Sequence, residues 1–202
     1  MSDDIHIRPA TPDDAPSLSA ICLSTADAGQ PLDILTTASE LPGLLYALPY
    51  LHCPGAAALV AHDSEGIVGY AVGSPASPQF YDWMNTHWLP EQRSRFPQAM
   101  AGEPADHAWL NRLYQDWHAP EVLDEFPAHL HINLLPRARG KGAGRKLVET
   151  LLDHLHALGA EGVHWGVDPR NGNALSFYRK LGFEMRQAEP GCFWFASRLP
   201  HA

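Results

Sequence analysis

The chain has 202 residues, 45% of them hydrophobic and 18% charged, with a formal net charge of -9. That length suits one domain over 1–202 with a substantial core, and the acidic balance argues against a nucleic-acid binder, which needs a basic face for phosphates. No stretch approaches the ~18 consecutive apolar residues of a membrane span. Met1-Ser2-Asp3-Asp4 lacks a basic region followed by an apolar one, and Cys22, Cys53 and Cys192 include no Cys-x-x-Cys pair, so a cytoplasmic protein with reduced thiols is expected.

Ile5-His6-Ile7-Arg8 alternates as a strand, and Thr11-Pro12-Asp13-Asp14 opens a helix with an N-cap, a proline in the first turn and acids at the positive dipole end. The spacing predicts that this helix runs to about Ala28, with Leu18, Ile21, Cys22 and Thr25 inward, and that residues 41–48 are helical again. Residues 57–62 and 67–73 flank Asp63-Ser64-Glu65-Gly66, a hairpin signal for the central antiparallel strands. Residues 75–127 hold Trp83, Trp88, Trp109 and Trp117 with Phe80, Tyr81, Phe96 and Tyr114, too many aromatics for a solvent loop. Helices near 81–88 and 109–117 would form a satellite core on the sheet or a wall of an acceptor pocket, where aromatic faces embrace a cation.

An apolar run, 129–135, then leads into Arg139-Gly140-Lys141-Gly142-Ala143-Gly144 and a helix from about Arg145, whose stripe Leu147, Val148, Leu151, Leu152, Leu155 and Leu158 ends at Gly159. Strand, glycine turn, helix leaves backbone N–H groups uncovered at a positive helix end, the setting in which proteins hold phosphate. Arg145 stands where the dinucleotide fingerprint needs its third glycine, and no Gly-Lys-Ser/Thr follows four spacers, so neither nucleotide motif is met. Residues 163–167 form the next strand. Leu175, Tyr178 and Leu181 mark one face of a short helix with Asn173 as its expected N-cap and Gly182 as its end, and Cys192-Phe193-Trp194-Phe195 is the last strand. His129 and His131 share a strand face, but His154 and His156 are two apart on a helix, so no metal site is expected; no Gly-x-Ser-x-Gly elbow suggests a hydrolase.

Arg139-x-x-Gly142-x-Gly144 resembles the Arg/Gln-x-x-Gly-x-Gly/Ala signature of the GCN5-related N-acetyltransferases (GNATs), and residues 166–183, ending in Tyr178-Arg179-Lys180-Leu181-Gly182-Phe183, resemble that family's second motif. Trp88-Leu89-Pro90, Arg95-Phe96-Pro97 and residues 126–136 are similar to the bacterial acetyltransferases related to the C-terminal domain of O-GlcNAcase, across nearly the whole chain. Members of that group often have Asp where Asn133 stands, so the resemblance carries no base at Asn133. The animal O-GlcNAcase domain has been described as a pseudo-acetyltransferase without cofactor contacts, whereas here the glycine loop and Asn173 are intact.

The resemblance implies an α/β (α+β) fold: a central mixed, mostly antiparallel sheet with helices on both faces and an aromatic-rich helical insertion at about 75–127. It implies acetyl-CoA as cosubstrate and direct acetyl transfer to a primary amine of a small molecule or protein side chain, with a silent acetyl-CoA-binding or interaction module as the alternative. Leu134 and Leu135 would offer backbone groups to the pantetheine arm, and Arg139, Gly140, Lys141, Gly142, Ala143, Gly144 and Arg145 would hold the pyrophosphate. Asn173 and Phe177 would line the cofactor's path, and Tyr178 would be the general acid for the thiolate. His131, Asp168 and Glu125 are the candidates for the base. The sequence names neither the acceptor nor the oligomeric state.

Overall fold

The computed structural model describes residues 4–32, 39–100, 102, 104–120 and 125–201. Strands β1 (His6–Pro9), β2 (Ala57–Asp63), β3 (Gly66–Ser74), β4 (Ala128–Leu134), β5 (Gly162–Val167), β6 (Met185–Glu189) and β7 (Cys192–Arg198) form one sheet in the order β1-β2-β3-β4-β5-β7-β6. Every neighbouring pair is antiparallel except β4 and β5, which run parallel. That parallel pair is short: only Ala128 with Val163 and His129 with His164 are in register. Beyond them the strands separate, and a wedge opens in the middle of the sheet.

Side-chain alternation gives each sheet face its own core. On one face Leu130, Val163, Trp165 and Val167 pack under α7 (Ala143–Ala157) and α8 (Gly172–Lys180), with Leu147, Leu151 and Leu155 at most 1% exposed. The opposite face, with Tyr70 and Val72, is covered by α1 (Ala15–Leu23), α2 (Leu41–Tyr46) and α3 (Pro49–His52). The aromatic-rich segment joins this second core through α4 (Ser77–Trp83), a π-helical turn over Met84–Trp88, α5 (Leu89–Arg95) and α6 (Pro104–Tyr114). Phe80, Met84, Leu89, Trp109 and Leu113 are buried there beside Leu18 and Leu41. No helix among the described residues is long and apolar enough to cross a membrane.

The expected inward residues Leu18, Ile21, Cys22 and Thr25 are all buried, but α1 stops at Leu23 rather than near Ala28. Ser24 and Thr25 turn their hydroxyls back onto the Ile21 carbonyl at 2.9 and 2.8 Å, and Ala28 and Gly29 both take positive φ, which ends any helical run. Of the expected helix over 41–48, α2 covers 41–46, and α3 begins afresh beyond it with Pro49 at its first position. Helix α7 begins at Ala143, two residues before the expected start, and Leu158 lies outside its stripe at 47% exposure. Strand β6 carries almost no apolar alternation and gave no signal of its own; pairing with β7 defines it.

Candidate active site

The wedge is a cleft of about 480 Å³, lined on the α1 side by Thr25, Gly29 and Asn133 and on the α8 side by Ala174, Phe177, Tyr178 and Leu181. Arg139, Gly140, Gly142, Gly144 and Arg145 close one end. Backbone direction explains what the gap presents. Leu135 N–H donates to Val68 on β3 at 2.8 Å, whereas the Leu134 carbonyl accepts from the Arg139 guanidinium at 3.2 Å. In a strand one residue's N–H and C=O point to the same side and successive residues alternate, so Leu134 offers both groups to the gap and Leu135 is committed to β3.

The three glycines of the loop have different work. Gly142 has φ +81° as the residue capping α7, a conformation that favours glycine, and a Cβ there would meet nothing within 4 Å. A Cβ on Gly144 would strike Leu134 at 2.9 Å and Phe177 at 3.1 Å, so its absence lets α7 close against both. The first-turn N–H groups of a 15-residue helix therefore face the cleft's end, beside Arg139 and Arg145. Arg145 pairs with Glu149 at 3.2 Å along the helix. Ala143 is buried in the core and Lys141 is exposed on the loop; neither lines the cleft.

Helix α8 starts two residues earlier than its expected cap requires. Asn171, not Asn173, is the N-cap, its Oδ1 accepting from Ala174 N–H at 3.0 Å. Asn173 falls in the first turn and lines the cleft instead. The C-terminus is a Schellman turn: Phe183 N–H reaches Tyr178 O and Gly182 N–H reaches Arg179 O, both at 3.1 Å, with Gly182 at φ +86°. This closure fixes Tyr178, whose ring packs against Trp165, Phe195 and Phe183. Its hydroxyl has no protein partner among the described residues, and burial pushes the phenol's pKa up, so it stays protonated.

The three candidate bases separate by environment. Glu125 pairs with Arg198 at 2.7 Å, and its carbonyl lies by Gly162, at the end of β5 away from the wedge. Asp168 is held by Arg170 at 2.7 Å, and that guanidinium keeps the carboxyl below its usual range. Arg170 also grips Asp27 at 2.9 Å, and Arg139 donates to the Gly29 carbonyl at 3.1 Å, so both arginines tie the chain after α1 to the rim of the cleft. His131 stands two residues before Asn133 on the same strand face, edge-on to Tyr46 at 5.5 Å and Tyr50 at 6.0 Å. Neither of its ring nitrogens has a protein partner among the described residues, and burial lowers its pKa to about 4. His129 is already spent. The Ser77 hydroxyl donates to Pro127 O at 2.7 Å and so accepts from His129 Nδ1, leaving Nε2 to accept from Tyr50 at 2.7 Å. Among the described residues no group of His, Cys, Asp or Glu could hold a metal.

Thr25, Gly29, Ser176, Lys180 and Leu181 also line the cleft, and the sequence assigns none of them to the site. Thr25 reads only as an inward-facing helix residue and Gly29 carries no signal, since both reach the cleft from a distant loop, whereas Ser176, Lys180 and Leu181 lie inside the motif already read.

The sequence profile of the Acetyltransferase (GNAT) family matches residues 34–183, and the chain belongs to that family. Among solved structures, the crystal structure of SsHAT is 32% identical, with a TM-score of 0.83 over 96% of this chain and 98% of that one. Protein O-GlcNAcase of Rattus norvegicus is 27% identical over 194 residues, 91% of this chain but 20% of the relative. The putative acetyltransferase yncA from Salmonella typhimurium, solved with its cofactor acetyl-CoA, shares the fold at a TM-score of 0.57 and 17% identity, over 98% of this chain and 96% of that one.

Proposed function

We propose that the chain transfers an acetyl group from acetyl-CoA to a primary amine by direct attack within a ternary complex. The observation that carries this reading is the wedge between β4 and β5, open from both sheet faces, with a helix N-terminus and Arg139 at its end and the uncommitted Tyr178 hydroxyl in its wall. Gly144 lets α7 close against Leu134 and Phe177 at the cleft's end, and the α7 N-terminus supplies donors for a pyrophosphate. Gly140 to Arg145 and Arg139 would hold the phosphates, Leu134 the pantetheine arm through its backbone, and Asn173 and Phe177 the cofactor's flank. Acetyl-CoA supplies a thioester, an acyl donor whose sulfur leaves as a thiolate.

Attack and departure need opposite proton chemistry, and the cleft separates them. Asn133 and the strand face of His131 belong to the α1 side, while Tyr178 approaches from the α8 side. The Leu134 N–H faces the gap and would donate to developing oxyanion charge, a contribution on the order of 3 kcal/mol for such donors. Tyr178 would donate to the departing sulfur. His131 at about 4 lies some 6 pKa units below an alkylammonium, roughly 8 kcal/mol, so it cannot strip the resting ammonium. It would instead take the far more acidic proton present after attack, directly or through water, from an amine that enters neutral. The uncommitted Tyr178 and His131 support turnover over a silent binding module.

Tyr178→Phe tests the chemistry apart from the binding. The ring and its packing remain, so acetyl-CoA affinity by calorimetry should stay at the parent value while the transfer rate falls ~10²-fold. A variant that transfers at the parent rate would make Tyr178 structural.

A further inference from the structure

Tyr70 on β3 stands opposite Asn133 on β4, so both side chains rise from the same sheet face. Asn133 Nδ2 donates to the Tyr70 hydroxyl at 2.7 Å, on the sheet face where Cys22 also packs. Tyr70 is wholly buried and Cys22 is 4% exposed. Desolvation keeps the phenol neutral, and its oxygen accepts the Asn133 amide N–H. The amide of Asn133 is therefore fixed with nitrogen toward Tyr70. Its Oδ1 has no protein partner among the described residues and is not sealed off from the surface, while the residue lines the cleft in the stretch of β4 beyond its last pair with β5, His129 with His164.

We infer that Asn133 Oδ1 receives one N–H of the acceptor, and that this contact selects primary amines over N-alkylated amines and alcohols. The inference rests on the acetyl-transfer reading and specifies its substrate class. A neutral primary amine has one lone pair and two hydrogens. With one hydrogen on Oδ1 and the other toward His131, the lone pair is free to form the N–C bond. The C–S bonding pair then leaves with sulfur, which Tyr178 serves as proton donor, and the nitrogen loses its proton on the His131 side. The product amide keeps a single N–H, still on Oδ1. A secondary amine gives a product with none, and an alcohol has no second hydrogen to offer, so each leaves Asn133 Oδ1 or His131 unpaired. An amide side chain cannot act as the base, so Asn133 is a positioning residue that touches the acceptor, and the tyrosine behind it sets its orientation.

The test needs no known acceptor. Two probes are made by alkylating the sulfur of CoA, one carrying –CH2–CO–NH–CH3 and the other –CH2–CO–N(CH3)2, and their dissociation constants are measured by calorimetry. The parent protein should bind the N–H probe about tenfold more tightly, equivalent to 1.4 kcal/mol. Asn133→Leu keeps the bulk without the acceptor and should erase that preference, whereas Asn133→Asp, whose carboxylate still accepts, should retain it. If Asn133→Leu fails to fold, Tyr70→Phe keeps the ring, releases the amide, and should shrink the preference. Equal affinities in the parent, or a preference that survives both Asn133→Leu and Tyr70→Phe, would overturn the inference. If neither probe binds the parent at all, the acetyl-CoA reading falls instead.

Discussion

Lowering the pH from 7 to 5 should destabilise this fold through its buried histidines. His129 and His164 are 2% and 3% exposed, His131 is partly covered by Tyr46 and Tyr50, and none has a carboxylate partner. Burial is the leading cause that lowers all three pKa values: His131 to about 4, His129 well below its ordinary value, and His164 less, because its Nδ1 donates to the Phe126 carbonyl. The unfolded histidine titrates near 6.5. Between the two values the unfolded chain binds more protons than the folded one, so stability is full above about pH 6.5 and falls as pH drops toward the folded pKa. At pH 5 His131, which stays neutral in the fold, costs about 2 kcal/mol by that linkage, and His129 and His164 act in the same direction. Against a total of 5–15 kcal/mol for a typical domain this is large, and at 2–4 °C per kcal/mol for this chain length the midpoint should fall by at least about 4–8 °C. Asp14, held at about 2 chiefly by its hydrogen bonds with Arg8, loses its contribution only as pH falls below about 4 and does not interfere. Thermal unfolding followed by circular dichroism at constant ionic strength measures the drop, and His131→Gln should remove about 2 kcal/mol of it. A parent midpoint at pH 5 within about 2 °C of that at pH 7 would refute the reasoning.

Gly142→Asp should abolish the rise in thermal midpoint that millimolar acetyl-CoA gives the parent. The variant should still fold, because the added Cβ meets nothing within 4 Å and Asp is a good helix cap despite the φ of +81°, yet its charge opposes phosphate; an undiminished shift would place the phosphates elsewhere. The pH profile of kcat/KM for an alkylamine should climb toward the amine's own pKa, with no inflection near 6.5, because His131 is neutral throughout. An inflection near 6.5 would point to a base with an ordinary histidine pKa.

Much of this architecture can be read from local patterns because local physics produces it. The hairpin at Asp63 and Gly66, the α7 stripe and the Schellman turn at Gly182 each follow from residues close in sequence. The cap of α8 shows how fine the limit is: Asn171-Gly172-Asn173 offers two asparagines, and only the side chain that reaches Ala174 N–H decides between them. Base candidates were harder still. Asp168 and Glu125 have suitable chemistry on paper, but Arg170 and Arg198, one near and one distant in sequence, occupy them. Asn133 gave no base signal, and its role depends on Tyr70, which lies 63 residues away in sequence and opposite it across the sheet. Partnerships that tertiary structure creates leave no period in the chain.

Release of free thiol from acetyl-CoA, with mass spectrometry of the acceptor, across a panel of primary alkylamines, arylalkylamines and lysine- or N-terminus-bearing peptides tests the central claim most directly. The account predicts at least one primary amine that gains an acetyl group in step with thiol release, with intersecting initial-velocity lines as both substrates are varied, and loss of transfer in Tyr178→Phe. Thiol release without an acetylated amine, or acetyl-CoA that binds and is never consumed across the panel, would contradict it.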